Sequence, residues 1–242
     1  MNNVNEIKIS DYLATNYEDY YKEGASEWRR IGALGKVGNI ISQCSTLPRH
    51  SILEIGAGEG SVLKRLSDLD FGETLYALEI SPSGVEAIKN KGITRLAECK
   101  IFDGYHIPYD NNRFDIAILS HVVEHVEYPR KLLYEASRVA RYTFIEVPLE
   151  DNSRLPHDFV FTKTGHINFY SPKTIRYLVQ SCNLRILTQI VRNPPKEAYT
   201  FSKGFRGLIN YYIKEAFIKV LPTVATKVFT YHGALVCEKM DN

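Results

Sequence analysis

Apolar positions along this chain recur at two spacings. Trp28, Ile31, Leu34, Val37, Ile40 and Ile41 return at helical intervals, which predicts a helix over 26–44. Gly32, Gly35 and Gly38 lie inside it. Each weakens a helix by up to about 1 kcal/mol, yet small residues also permit close approach of another backbone. Short apolar runs then alternate with amphipathic stretches. Strands are expected at 51–55, 74–80, 94–99, 114–119, 142–147, 184–191 and 231–238, with helices at 61–69, 129–140, and after Ser81-Pro82 and Ser171-Pro172. In both Ser-Pro pairs the serine suits the N-cap and the proline the first helical position. Strands alternating with helices predict an α/β fold, a mostly parallel sheet covered on both faces. Ligands of such sheets gather beyond the carboxyl ends of the strands, which directs attention to the residues after Ile55, Ile80, Cys99, Leu119 and Val147.

Composition narrows the picture little. The 242 residues, 44% hydrophobic and 24% charged, suit one large globular domain or two small ones. Thirty Lys and Arg against twenty-eight Asp and Glu give +2, which argues against bulk electrostatic nucleic-acid binding. Cys44, Cys99, Cys182 and Cys237 are scattered without a CxxC pair, so neither a thiolate zinc knuckle nor a disulfide framework is expected, and a reducing cytoplasm fits. The polar N-terminus lacks the apolar core of a signal peptide, and no apolar run approaches the roughly 18–20 residues of a membrane span.

The strongest motif is Glu54-Ile55-Gly56-Ala57-Gly58-Glu59-Gly60, a strand running into three glycines and then a helix. Its GxGxG spacing departs from the GxGxxG of dinucleotide-binding proteins, whose third glycine would fall on Ser61. Glu59 is also a poor neighbour for a pyrophosphate. Glu79-Ile80 ends the next strand, where a carboxylate can accept both hydroxyls of a ribose. Asp103-Gly104 follows the third strand, where a carboxylate can take an adenine amino proton.

In this order and spacing, the motifs resemble those of class I S-adenosylmethionine-dependent methyltransferases over roughly residues 30–192. The resemblance implies a Rossmann-like seven-stranded, mostly parallel sheet with the last strand antiparallel and helices on both faces. It implies that Glu54 and the loop Gly56, Ala57, Gly58 and Gly60 hold the methionine part of the cofactor, Glu79 with Ile80 the ribose, and Asp103 with Gly104 the adenine. Phe114 to Ser120, followed by Glu124-His125-Val126, looks like the fourth-strand signature of the same family, with Ser120 at the cofactor.

His121-Val122-Val123-Glu124-His125 can be read as an HxxEH zinc-protease pattern, but that reading needs a long helix and this segment follows a strand. Small-RNA 2′-O-methyltransferases and ubiquinone-pathway O-methyltransferases carry an acid, two residues, Glu-His, and a distant histidine, a cluster that binds a divalent metal. Here Glu124 and His125 match, His166 stands like the distant histidine, and His121 replaces the acid. That substitution favours Mn, Fe or Zn over Mg, because imidazole suits transition metals. A metal lowers the pKa of a bound hydroxyl. Without one, His121, His125 or His166 can act as a general base. A purely structural role for the cluster is the third reading. His157 is a secondary candidate, while His50, His106 and His232 are expected at the surface or in packing.

The additions complete the expectation. Residues 1–45 are read as an N-terminal helical cap, and 46–242 as the catalytic domain with a helical insertion at about 194–229. Tyr17, Tyr20 and Tyr21 are placed to close over the cofactor, with Tyr21 the named contact, and Trp28-Arg29-Arg30 to reach an anionic substrate. The insertion carries +4 and an apolar pattern of Phe205, Leu208, Ile209, Tyr212, Phe217, Val220 and Leu221. It suits a helix packed on the core or a second subunit, a substrate lid, or a membrane-surface helix. The expected activity is methyl transfer to a hydroxyl of a small molecule such as a sugar or quinone precursor. N- or C-methylation and a non-catalytic cofactor-binding subunit are the alternatives. The protein is expected to be a monomer or homodimer, and the absence of an Asn/Asp-Pro-Pro-Tyr/Phe motif argues against a nucleic-acid substrate.

Overall fold

The computed structural model describes residues 26–159 and 165–240. Tyr17, Tyr20 and Tyr21 lie outside the described residues. The elements in order are α1 (Ser26–Cys44), β1 (Ser51–Ile55), α2 (Ser61–Asp68), β2 (Thr74–Glu79), α3 (Pro82–Asn90), β3 (Leu96–Ile101), β4 (Phe114–Ser120), α4 (Pro129–Val139), β5 (Ala140–Pro148), α5 (Pro172–Gln180), β6 (Leu184–Arg192), α6 (Lys196–Val220), α7 (Pro222–Val228) and β7 (His232–Lys239). The predicted elements are all present, with boundaries shifted by at most two residues. Both Ser-Pro devices cap as expected. Ser81 accepts the N–H of Gly84 at 3.0 Å, and Ser171 forms a reciprocal capping box with Thr174.

The seven strands lie in the order β3-β2-β1-β4-β5-β7-β6. Only β7 is antiparallel, paired with β5 on one side and β6 on the other. Alternation along the strands separates two core layers. Leu53, Ile55, Ala117 and Leu119 face the layer of α4 and α5, with Leu132, Leu133, Ile175 and Val179. Ile52, Ile116 and Ile118 face the layer of α1, α2 and α3, with Val37, Ile40, Leu63 and Ile88. Helix α1 thus packs directly on the sheet. Its Gly35 allows a different close approach: a Cβ there would sit 2.7 Å from Cδ of Pro195, the residue before α6.

Helix α6 bends at Gly204, where φ is +54° and ψ −136°. Its buried residues are Ala198, Gly207 and Lys214. Of the readings given for the insertion, burial of the whole apolar pattern on this chain's own core is not what the fold does. Phe205, Ile209, Tyr212 and Val220 are exposed, Val220 at 74% and Phe205 at 77%. Lys214, one of the cations counted in the +4, turns inward and donates to the carbonyl of Thr230 at 2.7 Å; burial lowers its pKa to about 8. Among the described residues, no helix is long and apolar enough to cross a membrane.

Candidate functional site

The loop after β1 is held from β2. The N–H groups of Gly56 and Ala57 donate to the carbonyl of Leu78 at 2.8 and 3.0 Å, and the N–H of Gly58 donates to Oε2 of Glu79 at 2.8 Å. Oε1 of Glu79 accepts from Ser81 N–H at 3.1 Å. Gly56 has φ +69°, and a Cβ there would meet Cγ2 of Val122 at 2.8 Å. Both facts require glycine. Glu59 turns away to bond Ser61 and Lys91, so the loop carboxylate is neutralised outside the glycine cradle.

Two acids here are nearly fully buried. Burial pushes Glu79 up to about 7, against the backbone N–H groups that favour its ionised form. Burial pushes Glu54 up to about 8, opposed by the nearby Lys36 ammonium. One oxygen of Glu54, Oε2, is buried without a hydrogen-bond partner. Asp103 uses Oδ1 on its own turn, accepting N–H groups of Tyr105 at 2.8 Å and His106 at 2.6 Å. A single pocket is lined by Gly56, Glu79, Ile80, Phe102 and Gly104 together with His121, Val122 and His125. Glu54 and Asp103 flank it rather than line it.

The histidine cluster is built by strand register. In the β4–β5 pair, Ser120 stands beside Glu146, and His121 donates its N–H to the carbonyl of Glu146 at 2.8 Å. His121 has φ +59°, a conformation rare for a non-glycine residue. Its Nδ1 lies 3.2 Å from Oε1 of Glu124, and its Nε2 3.4 Å from Oε1 of Glu146. The carbonyl of Glu124 accepts the N–H groups of Ile167 and Asn168 at 2.9 and 3.0 Å, which brings the 165–168 loop over the cluster. His125 Nδ1 contacts the carbonyl of Gly165 at 3.1 Å, and His166 Nδ1 contacts Glu150 Oε2 at 2.7 Å. The His125 and His166 rings are 4.8 Å apart.

The electrostatics follow from burial against pairing. Burial opposes ionisation of Glu124 and Glu146, but the imidazoles beside them win: Glu124 falls to about 2 and Glu146 well below the carboxylate range. Burial and Lys36 would lower the pKa of His121, yet the two carboxylates raise it. Burial lowers those of His125 and His232.

The structure divides the four residues read as one metal set. Glu124, His125 and His166 place ligand atoms within 4.8 Å of one another, whereas His121 falls into a neighbouring group with Glu146 and His232. His232, read as a surface or packing residue, is packed: its Nδ1 lies 3.1 Å from Oε1 of Glu146 and its side chain is 18% exposed. His157 is exposed and contacts only Asp158. Arg30 pairs with Glu27 on the surface. Sequence reading missed Lys36, Glu146, Glu150 and His232. The available signal was Glu146, an acid inside the apolar run Phe144 to Val147 near the carboxyl end of β5. Lys36 reaches the carbonyl of Ser120 at 3.5 Å from one turn of α1, a relation no local pattern announces.

A sheet in this order, with a glycine loop after β1 and a buried acid ending β2, defines the class I S-adenosylmethionine-dependent methyltransferase fold. Residues 53–143 match the family model described as a methyltransferase domain. The fold and this partial match make residues 53–143 similar to that family. It is 25% identical over 148 residues to norajmaline N-methyltransferase of Rauvolfia serpentina, a match spanning 56% of this chain and about half (49%) of that relative's length. A SAM-dependent methyltransferase from Aquifex aeolicus superposes with TM-score 0.56 at 15% identity, over 90% of this chain and 100% of that one. Geranyl diphosphate C-methyltransferase from Streptomyces coelicolor A3(2), in complex with Mg2+, geranyl-S-thiolodiphosphate and S-adenosyl-L-homocysteine, gives TM-score 0.63 at 11% identity, over 85% and 75%.

Proposed function

We propose that this protein transfers a methyl group from S-adenosylmethionine to a hydroxyl of a small-molecule acceptor. The observation that carries the reading is the shared pocket: Gly56, Glu79, Ile80 and Gly104 line the same space as His121 and His125. The residues suit the cofactor. A Cβ at Gly56 would collide with Val122, and Glu79 offers a buried carboxylate at the end of β2. Glu54 keeps an unpartnered oxygen below the loop.

Bound there, S-adenosylmethionine supplies a sulfonium methyl that an oxygen nucleophile takes in line, with the sulfur leaving as the neutral thioether. The chain's part is to hold the acceptor in that line and exclude water. Val122, Val126 and Leu132 make one wall of the pocket apolar. His121 or His125 takes the hydroxyl proton as the oxygen becomes an ether. The Glu124, His125 and His166 group also suits a divalent metal. Both histidines place Nδ1 against an oxygen, of Gly165 and Glu150, which fixes the ring orientations beside Glu124. Neither oxygen of Glu124 has a hydrogen-bond partner. A metal there would acidify the acceptor hydroxyl.

N-methylation is the second reading, favoured by the relative named as an N-methyltransferase. Candidate acceptors are sugars and quinone precursors, and the four free cysteines suit a reducing cytoplasm. Calorimetry with S-adenosylhomocysteine tests the cofactor site: micromolar binding is expected, and no heat would overturn the reading. Isotope transfer from methyl-labelled cofactor to hydroxylated against aminated acceptors separates the two chemistries.

A further inference from the structure

His121, Glu146 and His232 come from the ends of three neighbouring strands. His121 follows β4, Glu146 stands near the carboxyl end of β5, and His232 opens the antiparallel β7, paired there with Pro148. We propose that these three residues form a second divalent transition-metal site, separate from the Glu124, His125 and His166 group and independent of the methyl-transfer reading.

The spacing supports ligation. His232 Nδ1 is 3.1 Å and His121 Nε2 3.4 Å from the same oxygen of Glu146. In a tetrahedral site with metal–ligand bonds of about 2.0–2.1 Å, two ligand atoms stand about 3.3 Å apart. All three ligand atoms fall within 4.8 Å of one another. Two imidazoles and one carboxylate form a donor set that suits Zn2+ and related transition ions over Mg2+.

A second observation is independent of the spacing. Glu146 is fully buried, and its other oxygen, Oε2, has no hydrogen-bond partner. A buried carboxylate oxygen without a partner is costly unless something is ligated there. The outer partners also fit. His121 Nδ1 stands 3.2 Å from Oε1 of Glu124, while its Nε2 faces Glu146. Asn39 approaches Glu146 Oε1 at 3.4 Å from α1. His121 therefore touches both groups, ligating in one and leaning on the carboxylate of the other. It also lines the pocket, so an ion held by it would lie beside the acceptor space.

The test is metal stoichiometry on chelator-stripped full-length protein, using Zn2+ by calorimetry and Co2+ by its visible absorption. The wild type is expected to bind two equivalents. His232→Asn and His232→Ala should each remove one, and His166→Ala the other. Glu146→Gln should behave as the His232 variants do; if it fails to fold, the two His232 variants carry the result. One equivalent that is lost in the His232 variants and kept in His166→Ala supports this site while overturning the other. No binding, or a stoichiometry indifferent to His232, overturns the inference. Binding of S-adenosylhomocysteine, measured on the same metal-free protein, reports separately on the methyltransferase reading.

Discussion

The N–H of Gly58 donates to Oε2 of Glu79 at 2.8 Å, so the acid that ends β2 also holds the loop that follows β1. Removing the carboxylate should disturb cofactor binding twice, through the lost acceptor and through the loosened loop. Glu79→Ala is expected to weaken S-adenosylhomocysteine binding about 10- to 100-fold, one or two hydrogen bonds' worth, with Glu79→Gln intermediate. Calorimetry measures it, with circular dichroism confirming the fold. Unchanged affinity would remove Glu79 from the site.

The same carboxyl gives a pH dependence. Burial raises Glu79 to about 7, so its ionised form, the better acceptor for hydroxyls, grows as pH rises through 7. Affinity for S-adenosylhomocysteine should rise between pH 6 and 8, and the Glu79 part of that rise should vanish in Glu79→Gln. Stability runs the other way. A raised carboxyl favours the fold fully below its ordinary value of 4.5, and that contribution is lost as pH climbs through about 7.

Gly56→Ala combines a positive φ with a Cβ placed 2.8 Å from Val122 Cγ2. A destabilisation of about 1–3 kcal/mol is expected from strain and overpacking, read from denaturant melts. Adding Val122→Ala should recover the steric share and leave the backbone share. A double variant no better than the single one would place the whole cost in the backbone.

His121 sits strained between two buried carboxylates, and the two effects can be separated. His121→Ala leaves buried charge without its partner, at about 3–5 kcal/mol. His121→Gly loses the same partner but relaxes the left-handed backbone, returning about 1 kcal/mol. Both should melt below the wild type, with the glycine variant about 2–4 °C above the alanine variant. Methyl transfer should fall sharply in both.

Acid should unfold the metal-free protein through the same cluster. Glu124 is held at about 2 by the imidazoles around it, with Glu146 lowered as well. Their stabilising contribution is complete above about 4.5 and is lost as pH falls towards 2. His121, with its raised pKa, contributes fully below 6.5 and loses that contribution as pH rises above it. The lowered pKa values of His125 and His232 add a loss as pH falls below 6.5, so thermal midpoints should decline on both sides of a maximum near pH 6.5. Glu124→Gln should flatten the acid limb by about 5–10 °C.

Much of this molecule is local enough to be legible. Alternating periodicities placed every strand, because burial on one face or both imposes spacing 2 or a continuous apolar run. The glycines after Ile55 and the acid at Glu79 announce themselves because only certain residues tolerate that turn and that strand end. Helix α6 was harder. Its apolar residues suited the core, a second subunit, a lid or a membrane surface alike, and in the fold Phe205 and Val220 are exposed. Periodicity reports that a face is apolar and not what covers it.

The sequence by itself determined the order of elements, the glycine loop with its acids, and the histidines concentrated after Leu119. Those features depend on backbone preferences and on neighbours within a few residues. The tertiary structure alone decided which histidines belong together. Pairing of β4 with β5 sets Glu146 beside Ser120, and the antiparallel return of β7 carries His232 to the same end of the sheet, across 86 positions of chain. Strand register joins residues by hydrogen-bond pairing rather than by sequence distance, so no spacing in the chain could have separated His121 from His125 and His166 and assigned it to Glu146 and His232.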